Sequence, residues 1–211
     1  MRILIAPDSF KDAARAEAAV QVIADGIRQS VPGAECDLCP VSDGGEGFVD
    51  AMGVGVPGAR RHRVETADPL GRPMTAEYAL APAGDAGACL AVIELAAASG
   101  LEGLSQSERD PTRTSTFGTG LLIRDALERG AERILLGIGG SATTDASCGV
   151  VQALGGVFFD TEGRVIERPM TGADLSRIGR IGLTAAGERL VGRSIHIACD
   201  VTNPLFGSNG A

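Results

Sequence analysis

Aromatic side chains are scarce. They make up 3% of the chain, with one Tyr and no Trp. The core must then be filled by Ala, Val, Ile and Leu, which suits helices packed closely on a sheet. His62 and His196 are the two histidines, too few for a His-rich metal site. No run of about 18 apolar residues occurs, so no membrane-spanning helix is expected. The opening Ile3-Leu4-Ile5-Ala6 is too short for the apolar region of a signal peptide and runs into Asp8 and Lys11. It reads as the first strand of a soluble, cytoplasmic protein. Positive charge is in deficit: 19 Lys and Arg stand against 27 Asp and Glu, a formal net charge of -8. That disfavours nucleic acid as a partner.

Two further absences narrow the choice. No G-x-x-x-x-G-K-[ST] string is present, which excludes a P-loop enzyme. Gly53-Val54-Gly55-Val56-Pro57-Gly58 fits G-x-G-x-x-G as letters, but it follows an expected helix, and Pro57 would spoil the helix that should open there. A Rossmann dinucleotide fingerprint is therefore rejected, and with it the main argument for an oxidoreductase. The five cysteines are odd in number and scattered, as reduced thiols would be. Cys36 and Cys39 lie in an expected strand over 34–41. Their offset of three puts the side chains on opposite faces, against metal binding or a disulfide.

What is present fits an α/β enzyme. The chain has 211 residues, 44% hydrophobic and 22% charged, with 30 glycines. That length suits one large domain or two small ones. A strand over 2–6, a helix over 13–29, a strand over 34–41 and a helix over 46–52 open a β-α-β-α rhythm, the sign of a parallel sheet. Residues 61–66, 75–81 and 89–95 then read as three strands without long helices between them, an antiparallel or mixed patch. The rhythm resumes with a helix over 119–129, a strand over 133–138, a helix over 146–154, a short strand at 157–159, a turn at 160–164 and a last strand at 194–199. No crossover helix follows that last strand, and the chain is expected to be shortened relative to a complete α/β enzyme.

Ligands of open parallel sheets bind beyond the strand C-terminal ends. Polar and Gly-rich clusters recur there. Pro7-Asp8-Ser9-Phe10-Lys11 follows the first strand, Ser42-Asp43-Gly44-Gly45-Glu46-Gly47 the second, and Glu94 and Ser99-Gly100 the strand at 89–95. Gly139-Gly140-Ser141-Ala142-Thr143-Thr144-Asp145 follows 133–138, and Asp200, Thr202 and Asn203 the last strand. The 137–145 loop precedes a helix whose N–H groups would attract an anion, with Ser141, Thr143 and Thr144 adding hydroxyl donors. The bland alternative is a capped strand–helix turn. Ser115-Thr116-Phe117-Gly118-Thr119-Gly120 has the same two readings. Lys11 with Asp8, Asp43 and Asp200 suits phosphoryl transfer: oxygen ligands for Mg²⁺, a cation to neutralise charge, and an Asp to accept a hydroxyl proton.

These strings, in order, resemble the bacterial glycerate kinases that phosphorylate D-glycerate with ATP. The resemblance rests on Ile5-Ala6-Pro7-Asp8-Ser9-Phe10-Lys11, Asp43-Gly44-Gly45-Glu46-Gly47, Ile93 to Leu101, Arg109-Asp110-Pro111, Gly118-Thr119-Gly120, Gly137 to Thr143 and Ala198 to Leu205. It implies a Rossmann- or flavodoxin-like parallel sheet domain, begun by residues 1–58, plus an inserted mixed α/β domain over 59–211. Family members are near twice this length, so the resemblance covers an N-terminal half. It implies ATP and Mg²⁺ as cofactors, D-glycerate as substrate, and 2-phosphoglycerate or 3-phosphoglycerate as product. Asp8, Lys11 and Asp200 are the expected catalytic residues, with Asp43 and Asp200 for metal. Ser9, Asp43, Gly44, Gly45, Glu46, Gly139, Gly140, Ser141, Thr143, Asp145 and Asn203 are expected around substrate and phosphates. The alternative is a non-catalytic fragment that needs the family's other half. The chain departs from the family at three places. Thr144-Asp145-Ala146-Ser147 stands for a usual Asn-Asp-Gly-Gly, Arg15 for a helix-capping Ser or Thr, and Phe48 for a frequent Thr.

Overall fold

The computed structural model describes residues 1–10, 13–45, 47–82, 87–202, 204, 207 and 208. Strand β1 (Arg2–Ile5) is followed by helix α1 (Ala16–Ser30) and strand β2 (Glu35–Leu38). β1 and β2 pair in parallel, and they form a two-stranded sheet of their own. Ile3 and Ile5 face α1, where Val20 and Ala24 are buried with them. The residue before α1, Arg15, makes no side-chain capping bond; it reaches instead to Asp50, 3.7 Å away. β2 is shorter than the expected 34–41. Cys39 lies beyond its end, and Cys36 and Cys39 are both free thiols.

Helix α2 (Phe48–Gly55) leads to β3 (Arg60–Ala67), β4 (Pro73–Ala81) and β5 (Leu90–Glu94). The Gly53–Gly58 string thus ends a helix and opens none. A short helix α3 (Ala96–Ser99), helix α4 (Phe117–Glu128) and β6 (Arg133–Gly137) follow. Then come α5 (Cys148–Ala153), β7 (Val157–Asp160), β8 (Ile178–Gly182), α6 (Thr184–Leu190) and β9 (Ser194–Ala198). The larger sheet has five strands in the order β3-β4-β5-β6-β9. β3, β4 and β5 are antiparallel neighbours; β5, β6 and β9 are parallel. Leu90-Ala-Val-Ile-Glu94 has no alternation because β5 sits in the middle, covered on both faces. β3 carries Arg60, Arg61, His62 and Arg63, charges that suit an edge strand.

One face of this sheet packs on α4 through Ile93, Ile134, Leu136, Leu122 and Ile123. Tyr78 is fully buried in the same layer, and its hydroxyl donates to Asp125 at 2.7 Å. Burial first, and then that carboxylate, push the Tyr78 phenol far up from its ordinary pKa. The other face packs on α2 through Phe48, Val49, Ala79 and Val92. The β7–β8 hairpin builds a third small core around Phe158, Ile166 and Met170. β8 and α6 were not expected from the sequence, for Ile178-Gly-Arg-Ile-Gly182 and Thr184-Ala-Ala-Gly-Glu-Arg-Leu190 mix glycine and charge into short segments. Among the described residues, no helix is long and apolar enough to cross a membrane.

Asp160 closes the turn after β7. Its carboxylate accepts from the backbone N–H groups of Glu162 and Arg164 and from Arg164 Nε, each at 2.9 Å. The backbone bond from Arg164 is the foremost cause that holds its pKa below the usual carboxylate value. The folded value is depressed, so the stability Asp160 contributes is complete above the unfolded value of about 4 and is lost as pH falls through the folded value. Hydrogen exchange at Glu162 and Arg164, corrected for intrinsic rates, is expected to quicken as pH drops below about 4. Asp160→Asn should abolish that dependence; protection unchanged by acid would contradict it.

Candidate functional site

The parallel strands end on one side, and their loops are tied there by backbone contacts. Val41 N–H donates to the Pro7 carbonyl at 3.1 Å. The Asp8 carboxylate accepts from Ser9 N–H at 2.6 Å and from Asp43 N–H at 3.2 Å, which joins the loop after β1 to the loop after β2. Asp43 in turn accepts from Gly45 N–H at 2.9 Å, and Ser42 Oγ accepts from Gly44 N–H at 3.3 Å. The Gly44 carbonyl then accepts from Gly139 N–H at 2.9 Å, beyond the end of β6.

That junction requires glycine. A Cβ on Gly139 would lie 2.5 Å from Gly45 Cα, and one on Gly44 would lie 2.7 Å from the Ala198 carbonyl oxygen. A Cβ on Gly137 would meet Phe48 at 2.7 Å. Phe48, in the place of a frequent Thr, is the buried side chain against which the β6 end is seated. Gly44 also has φ +100°, open only to glycine. Asp200 is exposed two residues past β9, the strand beside β6. The structure thus brings together Asp8, Ser9, Asp43, Gly44, Gly45 and Gly139 directly, and leaves Asp200 beyond the end of β9. Lys11, Glu46 and Asn203 lie outside the described residues.

The next turn of the loop is fastened elsewhere. The Gly140 carbonyl accepts from Leu101 N–H and the Ser99 carbonyl from Ala142 N–H, both at 2.9 Å. Ser141 Oγ accepts from Thr143 N–H at 3.1 Å and shares a 2.9 Å hydrogen bond with the Thr143 hydroxyl. Gly140 and Ser141 stay exposed, and Thr143 is half-buried.

Asp145 behaves differently from its sequence reading. It is 1% exposed and turned inward. Its oxygens accept from Thr116 N–H at 2.9 Å, the Thr116 hydroxyl at 2.8 Å, Gly149 N–H at 3.0 Å and Ser147 N–H at 3.2 Å. Val150 N–H donates to Thr116 Oγ1 at 3.1 Å. The first amides of α5 are therefore spent on Asp145 and Thr116, so they do not present an anion site. Asp145 braces the loop from behind. The second Gly-rich turn is also structural: a Cβ on Gly118 would run into the Ala67 carbonyl, and one on Gly120 would lie 2.6 Å from Ala153 Cβ. These glycines let α4 lie close against β3 and α5.

Glu94 is the group that the sequence reading noted at a strand end without giving it a role. It is 9% exposed, in register with Gly137, and lines a cleft of about 150 Å³ with Gly47, Asp50, Glu77 and Ala97. Arg15 and Arg61 complete that cleft, and Arg61 pairs with Asp50. The usable signal was an acid ending an otherwise apolar run. Among the described residues, no three His, Cys, Asp or Glu side chains converge as a metal cage. Mg²⁺ asks for less, since it keeps several waters and takes one or two carboxylates plus phosphate oxygens. Exposed Asp200 fits that demand; Asp43 has one oxygen already engaged by Gly45.

Ala146 and Ser147 adopt φ of +51° and +59°. They stand where the resemblance leads one to expect two glycines, and the left-handed region costs an L-residue roughly 1 kcal/mol or more. Ala146→Gly and Ser147→Gly are each expected to raise unfolding stability by about 1 kcal/mol in urea titrations. A loss of stability in both would show that these side chains hold the turn rather than strain it.

The comparisons with known proteins bear on the family and the fold. The glycerate kinase family profile matches residues 3–211. The glycerate 2-kinase of Escherichia coli K12 is 45% identical over the whole chain, which spans 54% of that protein. The glycerate kinase of Bacillus subtilis 168 is 44% identical over the whole chain, which spans 53% of it. A crystal structure of a Salmonella typhimurium LT2 protein described as glycerate kinase 2 superposes with a TM-score of 0.81 at 44% identity, covering 100% of this chain and 55% of that one. The chain thus spans about half the length of the curated relatives it matches, and corresponds to their N-terminal half. With the profile matched almost end to end, the chain belongs to the glycerate kinase family.

Proposed function

We propose that this chain carries the strand-end crevice of a kinase that moves the γ-phosphoryl group of ATP onto a hydroxyl of D-glycerate. The observation that carries the reading is the junction of Asp8, Asp43, Gly44 and Gly139, which gathers loops from three parallel strands at one place. Phosphoryl transfer needs positioning and charge stabilisation more than covalent help. The Gly140 backbone and the Ser141 and Thr143 hydroxyls would face phosphate or the glycerate carboxylate, with Gly139, whose N–H is held by Gly44, bringing that loop into place. Ser9, Gly44, Gly45, Glu46 and Asn203 would surround the substrate. Lys11, the chain's only lysine, would offset phosphate charge. Asp8 or Asp200 would accept the hydroxyl proton. Asp200 and Asp43 would hold Mg²⁺, which when bound supplies positive charge to the phosphate oxygens. The relative named glycerate 2-kinase favours 2-phosphoglycerate over 3-phosphoglycerate. A small-molecule substrate and a cytoplasmic setting, where ATP is at hand, follow from this chemistry. The division between residues 58 and 59 is favoured by β3 opening a sheet separate from β1 and β2, although α2, which precedes it, packs on that second sheet.

A second reading is favoured by the chain's span of about half its relatives. In it, the crevice binds ligand but turns over only with the rest of the family's length. Two measurements separate the readings. A coupled ADP-release assay with D-glycerate on this chain should give turnover near about 1 s⁻¹, the low end for kinases, and Asp200→Ala should lower it at least ~100-fold. No turnover, restored by adding the other half, selects the second reading. Because Lys11 is the only lysine, acylation at neutral pH followed by mass spectrometry reports on it alone beside the N-terminal amine. D-glycerate with MgATP should slow acylation of Lys11 several-fold under either reading; an unchanged rate removes Lys11 from the site.

A further inference from the structure

Glu17 holds a polar atom that nothing in the fold accounts for. It sits in the first turn of α1, half-buried, and its Oε1 is buried with no hydrogen-bond partner. Among the described residues no other buried side-chain nitrogen or oxygen is left in that state. A buried acceptor without a donor is costly, so its placement calls for a reason. Glu17 borders a cavity of about 330 Å³ between α1, α2 and the start of β3. Val49, Ala59 and Ala79 give it small apolar walls, and Asp50, Arg60 and Arg61 line it as well. The two arginines differ in the way they face. Arg60 lies opposite Leu80 in the ladder, and Leu80 packs in the α4 layer. Arg61 lies opposite Ala79, on the α2 face, so its side chain shares the side of the sheet that α2 covers. Its guanidinium is turned to Asp50 and, at 3.5 Å, to Glu77.

Asp50 is shared between two cations. Its Oδ1 takes Arg61, from β3, and its Oδ2 takes Arg15, from the start of α1, loosely at 3.7 Å. The Arg61 and Asp50 side chains are 47% and 29% exposed, and an ion pair so solvated holds weakly. We propose that Arg61 is the moving part of a two-position clasp. It pairs with Asp50 in the open arrangement seen here, and with Glu17 when α1 closes on β3. In the closed arrangement Arg15 keeps Asp50 paired, so no carboxylate is stranded. Closure also collapses the cavity, and its apolar walls gain contacts that they now lack. The effect reaches the crevice. α1 follows the loop that carries Asp8, and α2 follows the loop that carries Asp43 and Gly44. A clasp between α1 and β3 therefore sets how far the Asp8 loop stands from the larger sheet. It also gives Arg15 a task that a capping Ser or Thr could not perform. The clasp is carried by the cavity and its charges, and it does not require the kinase reading.

Zero-length carbodiimide coupling on an Arg61→Lys chain tests the clasp. The reagent joins an amine to a carboxylate that it touches, and the only other amines are Lys11 and the N-terminus. Tandem mass spectrometry should find the introduced amine joined to Asp50 and, in a measurable minority, to Glu17. Adding Asp50→Asn removes the competitor and should raise the Glu17 product at least threefold. Glu17→Gln should abolish that product. A Glu17 product that Asp50→Asn leaves unchanged would overturn the proposal. Where the shorter lysine yields no Glu17 product at all, Arg61 itself decides. In urea titrations Glu17→Gln should change the unfolding constant by less than about twofold in the native chain, where Arg61 rests on Asp50. The same substitution should change it by about fivefold in an Asp50→Asn chain, where Arg61 has turned to Glu17. Equal effects in the two backgrounds would overturn the clasp; the larger effect beside Asp50→Asn upholds it. Kinase activity is not a readout here, so a failed activity assay and a failed clasp remain distinct results.

Discussion

The contact on which the site depends is backbone against backbone. Gly44 and Gly45 lie against Gly137 and Gly139 with no side chain between them, and one N–H···O bond from Gly139 to Gly44 locks the pair. A Cβ at Gly44, Gly137 or Gly139 would lie 2.5–2.7 Å from backbone atoms of the facing segment and force the loops apart. Asp8 then has a fixed amide, that of Asp43, to accept from, and Ala198 a fixed neighbour. Three strands from two sheets thus end at one place because Gly44, Gly137 and Gly139 lack side chains. The contact also explains why Phe48 is tolerated where a smaller polar residue was expected: its ring fills the space that Gly137 leaves.

Behind that junction lies a second layer, built from a buried carboxylate. Asp145 and Thr116 satisfy each other and the first amides of α5, so the loop from 139 to 145 is anchored at its rear and free at its front. This division of labour separates residues of one string. Ser141 and Thr143 remain available to solvent; Asp145 does not.

Much of the fold was legible because it rests on local pattern. The unbroken apolar run of β5, the amphipathic spacing of α1 and α4, and the strand ends marked by glycine can all be read without knowing what packs where. β8 and α6 were not legible, since their partners decide them: β8 exists because it pairs with β7 around Phe158 and Met170. The site was legible as a set of strand-end clusters, again a local property. The inward turn of Asp145 was not, because its partner Thr116 is 29 residues away in sequence and belonged to a motif with two equal readings. The capping role lost at Arg15 was legible, and the structure shows the guanidinium drawn to Asp50 instead.

The burial of Tyr78 has a spectroscopic consequence. The chain has one tyrosine and no tryptophan. Its intrinsic emission therefore comes chiefly from a single ring, fully enclosed between β4 and α4 and hydrogen-bonded to Asp125. A melt followed by tyrosine emission is therefore a record of the five-stranded sheet. The β1–β2 unit, where Asp8 begins the crevice, contains neither chromophore and can open or close without a change in that signal.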